Sequence, residues 1–324
     1  MNAGHTESRP GAAAPAAKPS LFRMIRAPFL SSIVAPIVAG TLVAVSVTGE
    51  FRLAGFLLAL ALGVGLHVAT NVYNDIYDTI QGSDRINKLR NEFSGGSGIL
   101  VEHPEFMDRM RWTARGGLIL AAIATIGLMF VIRRSLWPQC LALFAVSAFL
   151  SKYYTAHPFK LAYRGLGEFF VWFAFGPMAV WIASVSQNLG WHALIAAAMP
   201  ATGISTLSIL LIGQIIDLPA DKATGKHGIA VRIGVPATVR VYGAVQLVLV
   251  LNLALLAWRM GPHGWPVLLG AVPVAVLLPG IWKLLNGGRA GTAALKAAAK
   301  ANVRLHLLFS LLFIIGLLIS LSLK

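Results

Sequence analysis

The chain has 324 residues, of which 57% are hydrophobic and 12% charged, with a net charge of +15 and a mean hydropathy of +0.73. Soluble domains carry about a quarter charged residues, so this composition excludes a water-soluble fold and describes an integral membrane protein. A single cysteine, Cys140, excludes an intramolecular disulfide framework.

In chain order, residues 1–20 are rich in Ala and Pro and are expected to form a disordered tail. Residues 21–324 are expected to form one membrane domain. Apolar runs long enough to cross a bilayer fall at 28–48, 53–77, 115–132, 137–153, 168–187, 191–215, 238–258, 264–285 and 304–323. The expected fold class is therefore all-α, a polytopic membrane protein of about nine transmembrane helices. Cys140 reads as a small apolar filler in the fourth. With the loops alternating in side, 22 of the 27 Lys and Arg fall on the side of the N-terminus. The others are Arg52, Arg133, Arg134, Arg259 and Lys324. The positive-inside rule then places the N-terminus in the cytoplasm and the C-terminus outside. The basic excess faces anionic lipid headgroups, not nucleic acid.

Eleven of the twelve acids lie in the N-terminus, the cytoplasmic loops or the adjoining helix ends. The second helix ends in NVYNDIYDTIQGSD, residues 71–84. Asn71, Asn74, Asp75 and Asp78 fall at i, i+3, i+4 and i+7 and share one helical face. Ionisable groups at such depth face the bundle interior or a wet cavity. Clustered carboxylates repel one another, and a divalent cation with oxygen ligands, magnesium or calcium, removes that difficulty. His67 extends the stripe deeper and reads as a hydrogen-bonded packing residue. The sixth helix ends in DLPADKATGKHGIAVRIG, residues 217–234. Asp217 and Asp221 are spaced i, i+4, although Pro219 is expected to stop the helix near Asp217. Lys222, Lys226, His227 and Arg232 follow, and acids beside cations suit a metal-bridged phosphate. SGGSG at 94–98 reads as a flexible cover rather than an anion nest. Lys296, Lys300 and Arg304 form a basic stripe suited to lipid.

NDIYDTIQGSD together with DLPADKATGKHGIAVRIG resembles the UbiA-type superfamily of intramembrane prenyltransferases. YTAHPFKLAYRGLGEFF (154–170) and IRAPFLSSIVAPIVAGT (25–41) are similar to the branch that prenylates 1,4-dihydroxy-2-naphthoate in menaquinone synthesis. Ala156-His157, Gly213, Gln214, Ile216 and the 90–100 loop depart from that branch. The resemblance implies helices around a central cavity, with two cytoplasmic loops capping the active site. It implies a bacterial inner-membrane enzyme that takes a polyprenyl diphosphate and an aromatic quinone precursor. Mg2+ would be held by Asn74, Asp75, Asp78, Asp84, Asp217 and Asp221. Asp78, Asp217, Asp221, Lys160 and Tyr154 would be catalytic. Arg85, Lys88, Lys160, Lys222, Lys226 and Arg232 would bind the diphosphate. Tyr153, Tyr154 and Trp172 would face the allylic cation. Other acceptors in the superfamily (4-hydroxybenzoate, haem, chlorophyllide, glycerol phosphate) remain alternatives. A cation-coupled transporter would instead hold its acids near the midplane, between visible repeats.

Overall fold

The computed structural model describes residues 18–287 and 291–324. The expected tail therefore lies, over 1–17, outside the described residues. Where description begins, Ser20 caps a one-turn helix, Leu21–Met24, its Oγ accepting from the Arg23 N–H at 3.2 Å.

Among the described residues all regular structure is helical, apart from one isolated bridge between Asn91 and Ser94. Nine long segments follow in order: α1 Ser31–Thr48, α2 Leu53–Gln81, α3 Met107–Val131 and α4 Trp137–Tyr153, then α5 Gly167–Ser186, α6 Ala193–Ala223, α7 Val235–Arg259, α8 Val272–Asn286 and α9 Thr292–Ser322. Helices satisfy every backbone group internally, which is what a lipid-facing segment requires. Eight of these, α1 and α8 with their leading turns, are long and apolar enough to cross a membrane. The exception is α4: its 17 residues span about 26 Å at 1.5 Å per residue, against roughly 30 Å of hydrocarbon.

Hydropathy marks the part of a helix that sits in lipid, and four helices run beyond it. α2 continues to Gln81 and α6 to Ala223, while α3 starts at Met107 and α9 at Thr292. Pro219 does not end α6. It lies inside the last turn and a half, and the turn after it is fixed by burial of Ala220 and Asp221, each 4% exposed. Asp217 and Asp221 therefore share one helical face after all.

Loop contacts define two ends of the bundle. At one, the Gln81 amide donates to the Thr155 carbonyl at 2.9 Å, and Arg23 reaches the Ser97 carbonyl at 3.0 Å. At the other, the Arg52 N–H donates to Gln187 Oε1 at 2.8 Å, the Arg133 N–H to Asn188 Oδ1 at 2.7 Å, and Lys324 to the Ser46 carbonyl at 2.7 Å. α4 runs from the second end to the first.

Packing in lipid relies on close approach rather than on a hydrophobic drive. α2 and α3 meet at Gly65 and Gly117, where a Cβ on either would stand 2.6 Å from the other's carbonyl oxygen. α5 contains a wide π-helical turn at Ala174–Met178, with Pro177 inside it. The Phe175 carbonyl there accepts from Thr202 Oγ1 of α6 at 2.9 Å. One apolar cluster lies mainly among α1, α6, α7, α8 and α9, a second among α1, α2, α3, α4 and α5. The cavity described next opens between α2 and α6.

Candidate active site

The acidic ends of α2 and α6 meet. Lys226 Nζ donates to Asp78 Oδ2 at 2.9 Å and lies 4.0 Å from Asp221 Oδ1. One ammonium thus bridges carboxylates from the two motifs. Asp78 also accepts from the Tyr163 hydroxyl at 2.8 Å. Asp217 accepts from Asn87 Nδ2 at 2.7 Å and from Ser94 Oγ at 2.5 Å. Asn74, Asp78, Asp84, Asp217, Asp221 and Lys226 line a single cavity of about 200 Å³. Asp75 turns instead to the 90–100 loop, where both its oxygens face the Ser97 N–H at 3.1 and 3.2 Å.

That loop is a strap between the motifs. Ser94 is tied to Asp217 of α6 and Ser97 to Asp75 of α2. Between them Gly95 (φ +81) and Gly96 (φ +72) adopt left-handed backbone, a conformation open to glycine and strained for other residues. A Cβ on Gly96 would lie 2.6 Å from Asp84 Oδ2 and 3.0 Å from Asp75 Oδ1. The expected flexible cover is thus pinned, and its backbone N–H is already engaged by an internal carboxylate.

Of the six cations expected to bind diphosphate, Lys226 lines the cavity. Arg85 and Lys222 are exposed, and their acidic neighbours explain why. Adjacent residues on a helix do not share a face, so burying Asp84 and Asp221 turns Arg85 and Lys222 outward. Lys88 is also exposed. Arg232 donates to the Gly165 carbonyl at 3.3 Å, and Lys160 stands 4.6 Å over the Tyr163 ring. Tyr154 lines the cavity, while Trp172 packs on Phe169.

Sequence reasoning missed several participants. Arg26 lines the cavity and lies 4.0 Å from Asp75. Its only sequence signal was its place in the IRAPFL segment. Glu168 accepts from Gln214 Nε2 at 2.7 Å and the Ile229 N–H at 2.6 Å, which fastens α5 to α6 and to the short IAVRI helix. Tyr163, Asn87 and Ser94 had no legible role. His67 also differs from expectation: it is buried, and neither ring nitrogen has a hydrogen-bond partner among the described residues.

Burial, with the negative charges of Asp78 and Asp75 beside it, pushes the Asp84 carboxyl up to about 8 against the pull of Lys226. Burial acts to lower the Lys226 ammonium, but Asp78 and Asp221 outweigh it and hold the group well above its ordinary value. Burial raises the Tyr154 and Tyr163 hydroxyls, with Asp78 adding to the rise at Tyr163. A second, apolar pocket of about 70 Å³ shares His67, Thr70, Tyr154, Val171 and Phe175 with the polar cavity and continues past Leu66, Leu150 and Met178. Carboxylates and a cation at a mouth, with an apolar channel behind, suit an amphiphile with an anionic head.

The chain is 29% identical to a 2-carboxy-1,4-naphthoquinone phytyltransferase of Synechocystis sp., over 84% of this chain and 86% of that protein. It is 31% identical to a 1,4-dihydroxy-2-naphthoate octaprenyltransferase of Mycobacterium tuberculosis, over 80% and 85%. Its fold matches a UbiA homolog from Archaeoglobus fulgidus bound to DMAPP and Mg2+, with a TM-score of 0.55 at 14% identity, over 94% and 99% of the two chains. The UbiA prenyltransferase family profile matches residues 33–314; the chain belongs to that family.

Proposed function

We propose that this prenyltransferase moves a polyprenyl group from a polyprenyl diphosphate onto a ring carbon of 1,4-dihydroxy-2-naphthoate, in menaquinone biosynthesis. The carrying observation is that Asp78 and Asp221, from helices far apart in sequence, lie 2.9 and 4.0 Å from one ammonium at the mouth of a cavity with an apolar extension. The acceptor class follows the two relatives, both named for naphthalene-ring substrates. The setting proposed is a bacterial inner membrane with the site on the cytoplasmic side, as the charge asymmetry indicates.

The residues fit magnesium. Asn74, Asp78, Asp84, Asp217 and Asp221 offer only oxygen, and Asn74 Oδ1 is buried without a partner. Among the described residues no three acidic, His or Cys side chains form a ready-made metal cage. Magnesium suits that arrangement, because it binds through one or two carboxylates plus phosphate oxygens. Asp75 would then hold the strap and, through it, the position of Asp84. When bound, magnesium supplies Lewis-acid stabilisation of charge on the departing diphosphate.

The chain's own groups do the rest. Lys226 and Arg26 offer donors to phosphoryl oxygens. Lys160, Arg85, Lys88, Lys222 and Arg232 surround the mouth and steer the anion toward it. The apolar pocket takes the first isoprene units. The donor's C–O bond breaks with its electron pair leaving on the diphosphate, an electron-rich ring carbon bonds to the allylic carbon, and that ring carbon then gives up its proton, or carbon dioxide where it carries the carboxyl, so that the aromatic ring is restored. The faces of Tyr154 and Phe175 line that space and stabilise positive charge.

The test is incubation of the purified protein with Mg2+, geranylgeranyl or longer diphosphates and a panel of aromatic acceptors, read by mass spectrometry. The expected product is prenylated naphthoate. Prenylation of 4-hydroxybenzoate alone would overturn the acceptor assignment.

The pH dependence of metal binding follows from Asp84. Because the fold raises this carboxyl to about 8, it carries a proton at neutral pH that the metal must displace. Apparent magnesium affinity relative to that of Asp84→Asn, measured by calorimetry with inorganic diphosphate present so that the diphosphate's own titration cancels, should rise up to about 10-fold per pH unit toward pH 8 and then level. The sign is opposite for the metal-free fold. There the native state holds the proton more tightly than the unfolded chain, so stability falls as pH climbs from the ordinary carboxylate range toward about 8. A flat affinity profile would contradict the assignment of Asp84 to the metal.

A further inference from the structure

We propose that His67 is a catalytic residue that accepts a hydrogen bond from a phenolic hydroxyl of the aromatic acceptor, holding the ring below the diphosphate. The inference rests on the naphthoate reading above and assigns where in the cavity that ring lies.

His67 is 5% exposed, and among the described residues neither Nδ1 nor Nε2 has a hydrogen-bond partner. Three polar neighbours in the cavity wall are committed elsewhere, and the Arg26 guanidinium stands 4.0 Å from Asp75. Thr70 Oγ1 donates to the Leu66 carbonyl at 2.8 Å, and Asn71 Nδ2 to the Ile25 carbonyl at 3.2 Å. Ser32 Oγ pairs with His306 Nε2 at 3.3 Å. A buried polar group left unsatisfied is destabilising, a burden that an aliphatic side chain at this position would not carry. The imidazole therefore awaits something that enters the cavity. Its position shows where: it lines both the polar cavity and the apolar pocket, and its ring meets Phe175 edge-on at 5.2 Å between centroids.

Depth selects the acceptor as that ligand. Asn74 follows His67 by seven positions on α2, a rise of about 10 Å. A diphosphate held at the level of Asn74 puts the allylic carbon one bond deeper. A near-attack separation of about 3–3.5 Å then leads to the ring carbon, and the neighbouring hydroxyl lies a further bond or two down. With a final hydrogen bond of about 2.8 Å to the ring nitrogen, these steps cover about 9–10 Å, which brings a hydroxyl to the imidazole. An unprotonated ring nitrogen accepting from that O–H raises electron density at the ortho and para carbons. It also fixes which carbon faces the donor. The isoprenoid tail leaves by the apolar branch past Val171 and Phe175.

The test compares wild type, His67→Phe and His67→Gln, using 1,4-dihydroxy-2-naphthoate and its two monomethyl ethers. His67→Phe should lower kcat/KM for the diol by about 100-fold, the size expected when a polar contact to a substrate hydroxyl is lost. KM for the prenyl diphosphate should stay within about twofold, since no diphosphate contact is removed. His67→Gln, which keeps an acceptor oxygen, should recover most of the loss. In wild type one of the two ethers should lose a similar factor, and His67→Phe should add nothing to it. The inference is overturned if His67→Phe keeps full kcat/KM, if the loss falls on the donor KM, or if the two losses multiply. Should His67→Phe fail to fold, the ether series on wild type and His67→Gln decides alone: equal sensitivity to both ethers in both proteins overturns the inference. Absence of any prenylated naphthoate from wild type would instead overturn the functional reading.

Discussion

Asp78→Ala and Asp217→Ala should each lower prenyl transfer by about 1,000-fold or more, roughly 4 kcal/mol of transition-state stabilisation, while leaving the fold intact. The two residues sit on different helices, and both line the cavity into which the diphosphate is proposed to enter. Losing either one removes oxygen ligands and so the charge that stabilises the leaving group. The fold should tolerate the change because removing one of several clustered acids relieves repulsion, which offsets the hydrogen bonds that Tyr163 and Lys226 lose at Asp78. With Asp78 gone, Lys226 still has Asp221. With Asp217 gone, Asn87 and Ser94 lose a shared acceptor, so the strap loosens but the helices do not part. Steady-state rates beside thermal unfolding in metal-free buffer separate the two effects. Turnover within tenfold of wild type in either variant would remove that residue from the chemistry.

Lys226→Met should have the second largest effect, and its signature is a dependence on metal. Lys226 is the cation between Asp78 and Asp221, and its side chain is 20% exposed. Removing one partner of such a buried pair leaves uncompensated charge, at a cost of up to about 3–5 kcal/mol. Metal-free Lys226→Met should therefore unfold at a distinctly lower temperature than wild type. Magnesium with diphosphate fills the same electrostatic need, and a ligand that binds only the native state stabilises it. The rise in Tm on adding both should be larger in the variant than in wild type. Turnover should still fall, by about 100-fold, because a donor to the phosphoryl oxygens has gone. Equal metal-free stability of the two proteins would show that the ammonium does not compensate the acids.

Much of this was legible before any coordinates. Sustained apolar runs place the helices, because length and hydropathy are what the bilayer selects. The acidic helix ends were readable because carboxylates at that depth have few structural uses. Helix ends were less legible: α6 keeps its helical form beyond Pro219 through the burial of Ala220 and Asp221, and no local propensity encodes that packing. The cations show the same limit. Asp84 and Arg85 look equivalent as a sequence pair, yet one is buried and the other exposed, because the helix turns between them. Tyr163 on Asp78, Ser94 on Asp217 and Ser97 on Asp75 join distant segments through loops whose paths only the tertiary fold sets. The strap is the clearest instance. Its glycines mark left-handed backbone, but its role as a tie between α2 and α6 depends on where those helix ends come to rest.

In the proposed site α2 and α6 bring their acids together on one diphosphate through divalent ions. The most direct test is an experimental structure of the protein with Mg2+ and a non-hydrolysable prenyl thiodiphosphate. The expected structure has ions bridging the diphosphate to Asp78 on one side and to Asp217 or Asp221 on the other, with Lys226 moved from between the carboxylates to a phosphoryl oxygen. A diphosphate bound through only one of the two helices, or lodged at the end of the bundle near Gln187, would contradict it.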